Sequence, residues 1–361
     1  MSDQSRVLLV LPSLKISGGT LELLRLADDL ASQKRGVDIV VMWRSPHEAS
    51  IEKRSVWYLS EWRTNARYAA LQVPELVRRF SRLVKSLTSA AGRSNNFWIF
   101  SHYATFPLAL CVPRDRRWFF VQDMEWRFVQ NRAVAAVLKG IILFSYKRGH
   151  LISANSYLTS QMALLKLNVD AEVAIWADPR FHAPIQKARD IDLVMVLRKG
   201  DHKRLDLYLE LLALVHAQNR PWKLAVITPE SDIVPQIKGM VDVCLLRPSI
   251  EQMQQLYARS RCFLHLSEHE GFGLPPLEAM GSGCVPICRD SGGIRAYMAG
   301  DLEALIAPKR LTMVQIIERV SELVHDSAKM TDLSDLVAKV FVDGLVRARN
   351  RSETLAHLQF G

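Results

Sequence analysis

Residues 267–280 read Ser-Glu-His-Glu-Gly-Phe-Gly-Leu-Pro-Pro-Leu-Glu-Ala-Met, and no other stretch is as informative about the architecture. The apolar run directly before it, residues 262–266, predicts a buried parallel strand. Pro275 and Pro276 suit the first turn of a helix, because a missing N–H costs little there. A strand, a glycine-rich turn and a helix in this order predict a βα unit, whose loop lies where α/β proteins bind ligands.

Two carboxylates flank this turn, eight positions apart. Glu270 lies in the loop and Glu278 is expected in the first turn of the helix, so both can face one ligand. Gly271 and Gly273 let the backbone approach a ligand closely, and the helix start offers N–H groups to a phosphate. Taken alone, Glu278 could equally complement the helix dipole and Glu270 could be a solvated loop acid. The whole pattern favours a ligand site.

The stretch resembles the E-x7-E signature of retaining glycosyltransferases, in particular family 4, whose usual form is E-G-F-G-L-P-x-x-E-A-M. The resemblance implies the GT-B fold: two Rossmann-like, doubly wound parallel-sheet domains of α/β class that face each other across a cleft. It implies that the first domain binds the acceptor and the second binds a nucleotide-sugar donor. It further implies donor contacts from Glu270 to the sugar, from Glu278 to the ribose, and from the loop residues Gly271, Phe272, Gly273 and Leu274.

The length of 361 residues predicts two domains. We place them at residues 1–185 and 186–344, with a helix at about 345–361 that crosses back to the first domain. Apolar runs separated by helical stretches predict a parallel, doubly wound sheet in each domain. The predicted strands are residues 7–10, 37–43, 97–100, 118–121, 151–154 and 173–177, then 193–197, 224–228, 243–246, 263–266, 285–288 and 304–306; helices include 20–33, 74–87 and 203–218.

The positive charge is concentrated in the first half. The net charge is +10, and residues 1–190 hold 27 Lys and Arg against 16 Asp and Glu. A basic acceptor-binding half suggests an anionic acceptor or an anionic membrane surface. Nucleic acid is a second option, which we rank lower, and a solvated basic face without a special partner is a third. The oligomeric state stays open.

The five cysteines form no C-x-x-C pair and read as reduced residues of a cytosolic protein. Neither a signal peptide nor a membrane-spanning run is visible, so we expect a cytoplasmic protein, either soluble or peripheral on the inner face of the membrane. No metal site is expected, and no cofactor beyond the nucleotide-sugar co-substrate.

Arg198 and Lys203 follow the first strand of the second domain and match the family's cations that pair with the donor diphosphate. Their neighbours Lys199 and Arg204 could take the same role. The family usually has Gly before this Arg, whereas Leu197 stands here.

Three groups in the first domain follow strand ends. Gly18 and Gly19 match a glycine-rich loop that the family places near the donor phosphates. His102 matches a His often found at the cleft, although such a His is equally often structural. Asp123, in a Gln-Asp pair that resembles rhamnosyltransferase-like members, could orient the acceptor hydroxyl or act as a base.

Two loops of the second domain complete the donor side. Arg247 ends a strand, and its loop borders the nucleotide base in the family. The family's Ser-Gly-Gly recurs at residues 291–293, but the Glu that usually follows is replaced by Ile-Arg-Ala. This departure weakens any inference about the donor sugar.

The resemblance therefore predicts a retaining, metal-independent hexosyltransferase. It would transfer a hexose or deoxyhexose from a nucleotide-diphosphate sugar to a glycan or lipid-phosphate-linked acceptor, in surface polysaccharide synthesis. One alternative is a DNA-modifying glycosyltransferase that acts on hydroxylated bases. Another is a catalytically silent subunit that binds sugar nucleotides.

Overall fold

The computed structural model describes residues 6–12, 18–33, 36–42, 56–58, 96–186, 188–349 and 354. The chain divides into two compact units, residues 1–175 with 350–361 and residues 176–349. From the sequence, the boundary is predicted at 185. The second unit begins at Trp176, whose indole N–H donates to the carbonyl oxygen of Phe341 at 3.0 Å and whose ring meets Phe272 edge-on.

The first unit contains a parallel sheet of seven described strands in the order β3-β2-β1-β4-β5-β6-β7. The strands are β1 Arg6–Leu11, β2 Gly36–Val41, β3 Val56–Tyr58, β4 Phe97–Phe100, β5 Arg117–Val121, β6 His150–Ser153 and β7 Ala171–Glu172. The α-helices are α1 Gly18–Ser32, α2 Phe106–Ala109, α3 Arg132–Tyr146 and α4 Ser156–Leu164. All the residues of β4 and β5 are buried, as expected for strands covered on both faces.

The second unit contains a parallel sheet of six described strands in the order β10-β9-β8-β11-β12-β13. The strands are β8 Ile191–Val196, β9 Leu224–Thr228, β10 Val243–Leu246, β11 Ser260–His265, β12 Val285–Arg289 and β13 Ile306–Ala307. The α-helices are α5 Leu205–Ala217, α6 Ile250–Arg259, α7 Leu274–Met280, α8 Met313–His325 and α9 Ser327–Arg349. The prediction of an α/β protein with two doubly wound parallel sheets is confirmed.

Each sheet reverses its strand order at one point. The reversal lies between β1 and β4 in the first unit and between β8 and β11 in the second. Loops that leave the carboxyl ends of such neighbouring strands diverge to opposite faces of the sheet and leave a crevice where ligands bind. The loops after β8 and β11 are those that carry Lys203 and Glu270.

One predicted strand is wrong in position. Residues 173–177 were assigned to the last strand of the first domain because they are apolar, but the ladder to β6 is formed at Ala171 and Glu172. The N–H groups of Val173 and Ile175 still bond to β6 and to Ala154, and the apolar side chains are buried as the chain leaves the sheet. Burial, rather than strand pairing, explains their composition.

Two predicted helices lie wholly or partly outside the described residues. The predicted helix at 74–87 lies outside the described residues. The predicted C-terminal helix at 345–361 begins within α9, which runs to Arg349, and the remainder lies outside the described residues apart from position 354.

Candidate active site

The centre of the candidate site is an ion pair between two loops of the second unit. Lys203 Nζ lies 2.8 Å from Oε1 and 3.0 Å from Oε2 of Glu270. Lys203 ends a short 3-10 turn after β8, and Glu270 lies in the loop after β11. β8 and β11 are paired in parallel, so their carboxyl ends meet at one sheet edge. The two residues are 67 positions apart in sequence, and the sheet order brings them together.

The Glu270 carboxylate is held in its charged form. Burial alone would raise its pKa, but Lys203, His265 and a hydrogen bond from Ser267 outweigh burial and lower the pKa to about 2. The Glu270 side chain is only 12% exposed. A carboxylate that stays charged in such an enclosed position can accept hydrogen bonds from a bound polar ligand.

His265, which the sequence analysis did not single out, lies beneath this pair. Its Nε2 is 3.7 Å from Glu270 Oε1, is buried, and makes no hydrogen bond within the described part of the chain. Burial lowers the pKa of His265 to about 4, so the ring is neutral at neutral pH. The sequence did not indicate a functional role for His265, because a His inside an apolar strand is expected to be a packed core residue.

The loop after β11 is pressed against the Ser-Gly-Gly turn at residues 291–293. Glu270 N–H donates to the carbonyl oxygen of Ser291, and Gly293 N–H donates back to that of Glu270, each at 3.0 Å. A Cβ added to Gly293 would lie 2.4 Å from backbone atoms of Gly271 and Phe272. The two turns therefore form one unit, and only glycine fits at position 293.

The other loop residues named from sequence are mostly buried. Gly273 has φ +83°, a conformation that favours glycine, and its carbonyl oxygen accepts a hydrogen bond from Tyr297 Oη at 2.6 Å. Phe272 packs edge-on against Tyr297, with ring centroids 5.2 Å apart. Leu274 begins α7 and is half-buried. These contacts hold the loop in one conformation.

Glu278 lies further along α7 than predicted. The helix begins at Leu274, with Pro275 and Pro276 in its first turn as expected, so Glu278 is the fifth residue and belongs to the second turn. The assignment of Glu278 to the first turn was therefore wrong. Its carboxylate lies close enough to Tyr257 to add to the effect of burial in raising the pKa of that phenol.

The cations after β8 divide into two groups. Lys199 pairs with Asp232, and Arg204 pairs with Asp206 at 2.7 Å and with Glu268 at 3.5 Å. Arg198 is half-buried and has no hydrogen-bond or ion-pair partner among the residues that the structure describes. Among the four cations after β8 that could bind an anion, Arg198 is thus the one whose N–H donors are not paired with a described carboxylate.

The loop after β11 is also braced by a second carboxylate that sequence reasoning missed. Glu268 accepts from Lys309 at 2.7 Å and lies 3.2 Å from Arg289 and 3.5 Å from Arg204. These three partners come from three different segments: the loop after β13, the end of β12 and the loop after β8. No local sequence signal could have found this cluster, because only the strand order brings the residues together.

Two further residues of the second unit, Arg247 and Arg295, have partners outside the Lys203–Glu270 pair. Arg247 follows β10, is exposed, and donates from Nε to the carbonyl oxygen of Pro229 at 2.9 Å. Arg295, in the Ile-Arg-Ala stretch that stands where the family usually has a Glu, pairs with Asp290 at 2.8 Å. The Asp-x-Asp at 190 and 192 lies at the opposite, amino end of β8, where Arg259 and Arg261 neutralise both acids.

In the first unit, the residues named from sequence gather at the carboxyl ends of β1, β4 and β5, which are neighbours. Gly18 and Gly19 begin α1, and a Cβ on Gly19 would lie 2.8 Å from Gln122 Oε1. His102 caps the turn after β4, where its Nδ1 accepts from Ala104 N–H at 3.1 Å. Burial lowers the pKa of His102 to about 4.

Glu125 is the functional candidate that the sequence analysis overlooked in this unit. Its Oε1 accepts from Tyr103 N–H at 3.3 Å and lies 4.0 Å from His102 Nε2. Burial, with help from the nearby charge of Asp123, raises the pKa of Glu125 to about 8. Asp123 accepts from the N–H of Met124 at 2.8 Å. The carboxyl group of Glu125 is therefore protonated near neutral pH.

Two wider properties apply to the described part of the chain. No group of three or more His, Cys, Asp or Glu side chains there is placed to hold a metal ion. None of its helices combines the length and the apolar composition needed to cross a bilayer.

Comparison with known proteins finds a family match in the second unit. Residues 179–339 match the family model described as "Glycosyl transferases group 1". The chain is 35% identical over 117 residues to the GDP-mannose:cellobiosyl-diphosphopolyprenol alpha-mannosyltransferase of Komagataeibacter xylinus, a stretch of 30% of each chain. It is 47% identical over 62 residues to putative glycosyltransferase 41 of Sulfolobus islandicus filamentous virus, 17% of this chain and 19% of that one. The matched stretches span less than a third of these relatives.

Solved structures resemble the chain over almost its full length. Sucrose-phosphate synthase from Thermosynechococcus elongatus superimposes with a TM-score of 0.73 at 13% identity, covering 98% of this chain and 100% of that one. WaaG, a glycosyltransferase involved in lipopolysaccharide biosynthesis, gives a TM-score of 0.68 at 12% identity and covers 97% and 98%. The chain has the GT-B fold.

Proposed function

We propose that this protein is a glycosyltransferase that moves a hexose or deoxyhexose from a nucleotide-diphosphate sugar to a hydroxyl of a glycan or lipid-linked acceptor. The observation that carries the proposal is the enclosed Lys203–Glu270 pair at the point where the strand order of the second sheet reverses. It lies within the residues that match the glycosyl transferases group 1 family model.

The donor diphosphate would bind between Arg198 and Lys203. Lys203 has three N–H donors, and its contacts with Glu270 leave capacity for a phosphate oxygen. Arg198 offers five N–H donors with no described partner. Such cations stabilise the charge that develops on the departing phosphate, which is usually the largest contribution to catalysis.

Glu270 would accept hydrogen bonds from hydroxyls of the donor sugar, and Glu278 from the ribose. Transfer breaks the bond between the sugar C1 and the phosphate oxygen, and the electron pair leaves with the diphosphate. The acceptor oxygen forms the new bond on the same face, and its proton passes to the departing phosphate. We propose retention of configuration and no metal requirement on this basis, as in family 4 glycosyltransferases.

The first unit would supply acceptor groups, with Asp123, His102 and Glu125 as candidates. A membrane-linked acceptor fits the basic composition of residues 1–190 and the names of two relatives: the diphosphopolyprenol-dependent mannosyltransferase, and WaaG in lipopolysaccharide synthesis. We therefore favour surface polysaccharide synthesis at the cytoplasmic face of a membrane. The nucleotide base stays open, and so does the sugar, because Ile-Arg-Ala stands where the family usually has a Glu.

A thermal-shift screen of nucleotide sugars tests donor binding. A ligand at a hundredfold excess over its Kd stabilises the folded state by about 2.7 kcal/mol, which is a measurable shift. The best donor is then assayed for transfer to lipid-linked and glycan acceptors, and to duplex DNA carrying hydroxylated bases.

Arg198→Gln and Glu270→Gln should abolish the shift or the transfer, whereas Arg310→Gln, on an exposed loop, should change neither. Donor binding without transfer to any acceptor would favour a silent subunit. Full transfer by Glu270→Gln would refute the assigned role.

A further inference from the structure

One helix of the first unit exposes an apolar face. In α3, Val134, Val137, Ile141 and Phe144 are 54%, 65%, 47% and 48% exposed. Their spacing of three, four and three residues puts them on one side of the helix. Leu110, after α2, is 49% exposed and extends the face. We call these five residues the α3 stripe.

The α3 stripe lies on the side of the helix away from the core. The core side is formed by Ile142, Ser145 and Tyr146, and Tyr146 packs against Phe106 with ring centroids 5.4 Å apart. Leu110, Val137, Ile141 and Phe144 also line an open hollow of about 460 Å³ beside the helix. Contiguous exposed apolar surface of this kind is uncommon on a soluble domain unless it binds something.

The chain segment that contains α3 has charges of one sign. Between Glu125 and Asp170 the chain has no acidic residue and six basic ones: Arg127, Arg132, Lys139, Lys147, Arg148 and Lys166. Arg132 begins α3, and Lys147 and Arg148 follow its end, all three exposed. The guanidinium of Arg148 lies 3.4 Å from the centroid of the Phe144 ring, so a cation adjoins the apolar surface directly.

We propose that the α3 stripe and its basic ends dock on an anionic lipid surface. Four apolar side chains would enter the boundary between headgroups and acyl chains along a line of about 15 Å, which is ten residues of helix. Cations at both ends of that line would meet lipid phosphates or carboxylates. The excess of positive charge in this segment favours a negatively charged leaflet over a protein surface of mixed charge. The inference does not depend on the proposed transfer reaction.

Vesicle co-sedimentation of the full chain tests this surface without any sugar donor. One vesicle contains three parts phosphatidylcholine to one part phosphatidylglycerol, and the other is pure phosphatidylcholine. We expect binding to the anionic vesicle, weaker binding to the neutral one, and loss of the difference when salt rises to about 0.5 M.

Two variants separate the apolar and charged contributions. Ile141→Ser with Phe144→Ser should weaken the partition coefficient more than about tenfold, because two large apolar side chains no longer enter the membrane. Lys147→Gln with Arg148→Gln should weaken binding to the anionic vesicle about tenfold or more and leave binding to the neutral one nearly unchanged.

Matched controls come from the second unit. Val314→Ser with Val346→Ser, and Arg310→Gln with Lys329→Gln, remove exposed side chains of the same kinds. These variants should bind vesicles as the wild type does. If the double serine variant fails to fold by circular dichroism, Val137→Ser, at the most exposed position, replaces it with an expected loss of about threefold or more.

Three results would overturn the proposal. The first is a wild-type chain that does not bind anionic vesicles. The second is binding that the α3 variants leave unchanged relative to the controls. The third is self-association in solution that Ile141→Ser abolishes while vesicle binding persists, which would assign the stripe to a protein interface.

Discussion

Replacing Lys203 by Met tests the central ion pair directly. In the wild type, the Lys203 ammonium is the nearest cation to Glu270, with contacts of 2.8 and 3.0 Å. Without it, the carboxylate stays buried beside a neutral His265. A buried charge without its partner is costly, so the carboxyl group will take up a proton or destabilise the fold.

The expected magnitude follows from the pKa. The pKa of Glu270 is lowered from 4.5 to about 2, and at about 1.4 kcal/mol per unit this corresponds to about 3 kcal/mol of stability. Because the folded pKa is the lower one, this contribution is fully present above about pH 4.5 and is lost as the pH falls towards 2. In Lys203→Met, burial raises the pKa of Glu270 instead, so the variant loses stability as the pH rises above about 4.5.

Urea unfolding of both proteins, followed by tryptophan fluorescence at about pH 5 and about pH 7.5, measures the difference. We expect Lys203→Met to be less stable by about 3 kcal/mol at the higher pH and by less at the lower one. Adding Glu270→Gln to Lys203→Met should recover much of the loss, because the uncompensated charge is gone. The control is Lys309→Met, which breaks the more exposed pair with Glu268 and should cost under about 1 kcal/mol.

Two outcomes would contradict this reasoning. One is equal stability of Lys203→Met and the wild type at both pH values. The other is a double variant no more stable than Lys203→Met alone, which would mean that the lysine acts through packing rather than through its charge.

Three other predictions concern pH, the backbone and metals. The pKa of Glu125, raised from 4.5 to about 8, makes the wild type lose stability as the pH rises across that interval, so unfolding of Glu125→Gln should depend less on pH there. Gly293→Ala should reduce both stability and the donor-induced thermal shift, because its Cβ would clash with the backbone at 2.4 Å. Gly140→Ala in α3, where nothing lies within 4 Å, should instead stabilise the protein by about 0.5–1 kcal/mol. Transfer assays with EDTA present should retain full activity, and restoration by an added divalent ion would refute metal independence.

Much of the fold could be predicted because its signals are local. Fully buried parallel strands are short apolar runs, so Phe97–Phe100 and Leu224–Thr228 match their predicted limits. The edge strand Val243–Leu246 is only partly buried, but it is also an apolar run and matches its predicted limits. The prediction failed at residues 173–177, where apolar side chains are buried without a strand ladder. It also missed Val56–Tyr58, a three-residue edge strand.

The candidate site was predictable only in part. Glu270, Lys203 and Asp123 were named because each follows an apolar run and matches a motif of the family that the sequence resembles. His265 and Glu125 were missed, because a His inside a strand and a Glu four residues past one look ordinary in sequence. Their perturbed pKa values arise from burial by segments distant in the chain, and local patterns carry no information about burial of this kind.

The sequence by itself determined the βα units, the position of the glycine-rich loop and the residue types available for chemistry, because hydrophobic periodicity and turn preferences act over a few residues. Only the tertiary structure decided which loops meet. The order of the second sheet places β11 beside β8, so Lys203 reaches across 67 positions to neutralise Glu270. It also decided that Gly293 must be glycine, since that depends on how closely two separate turns pack.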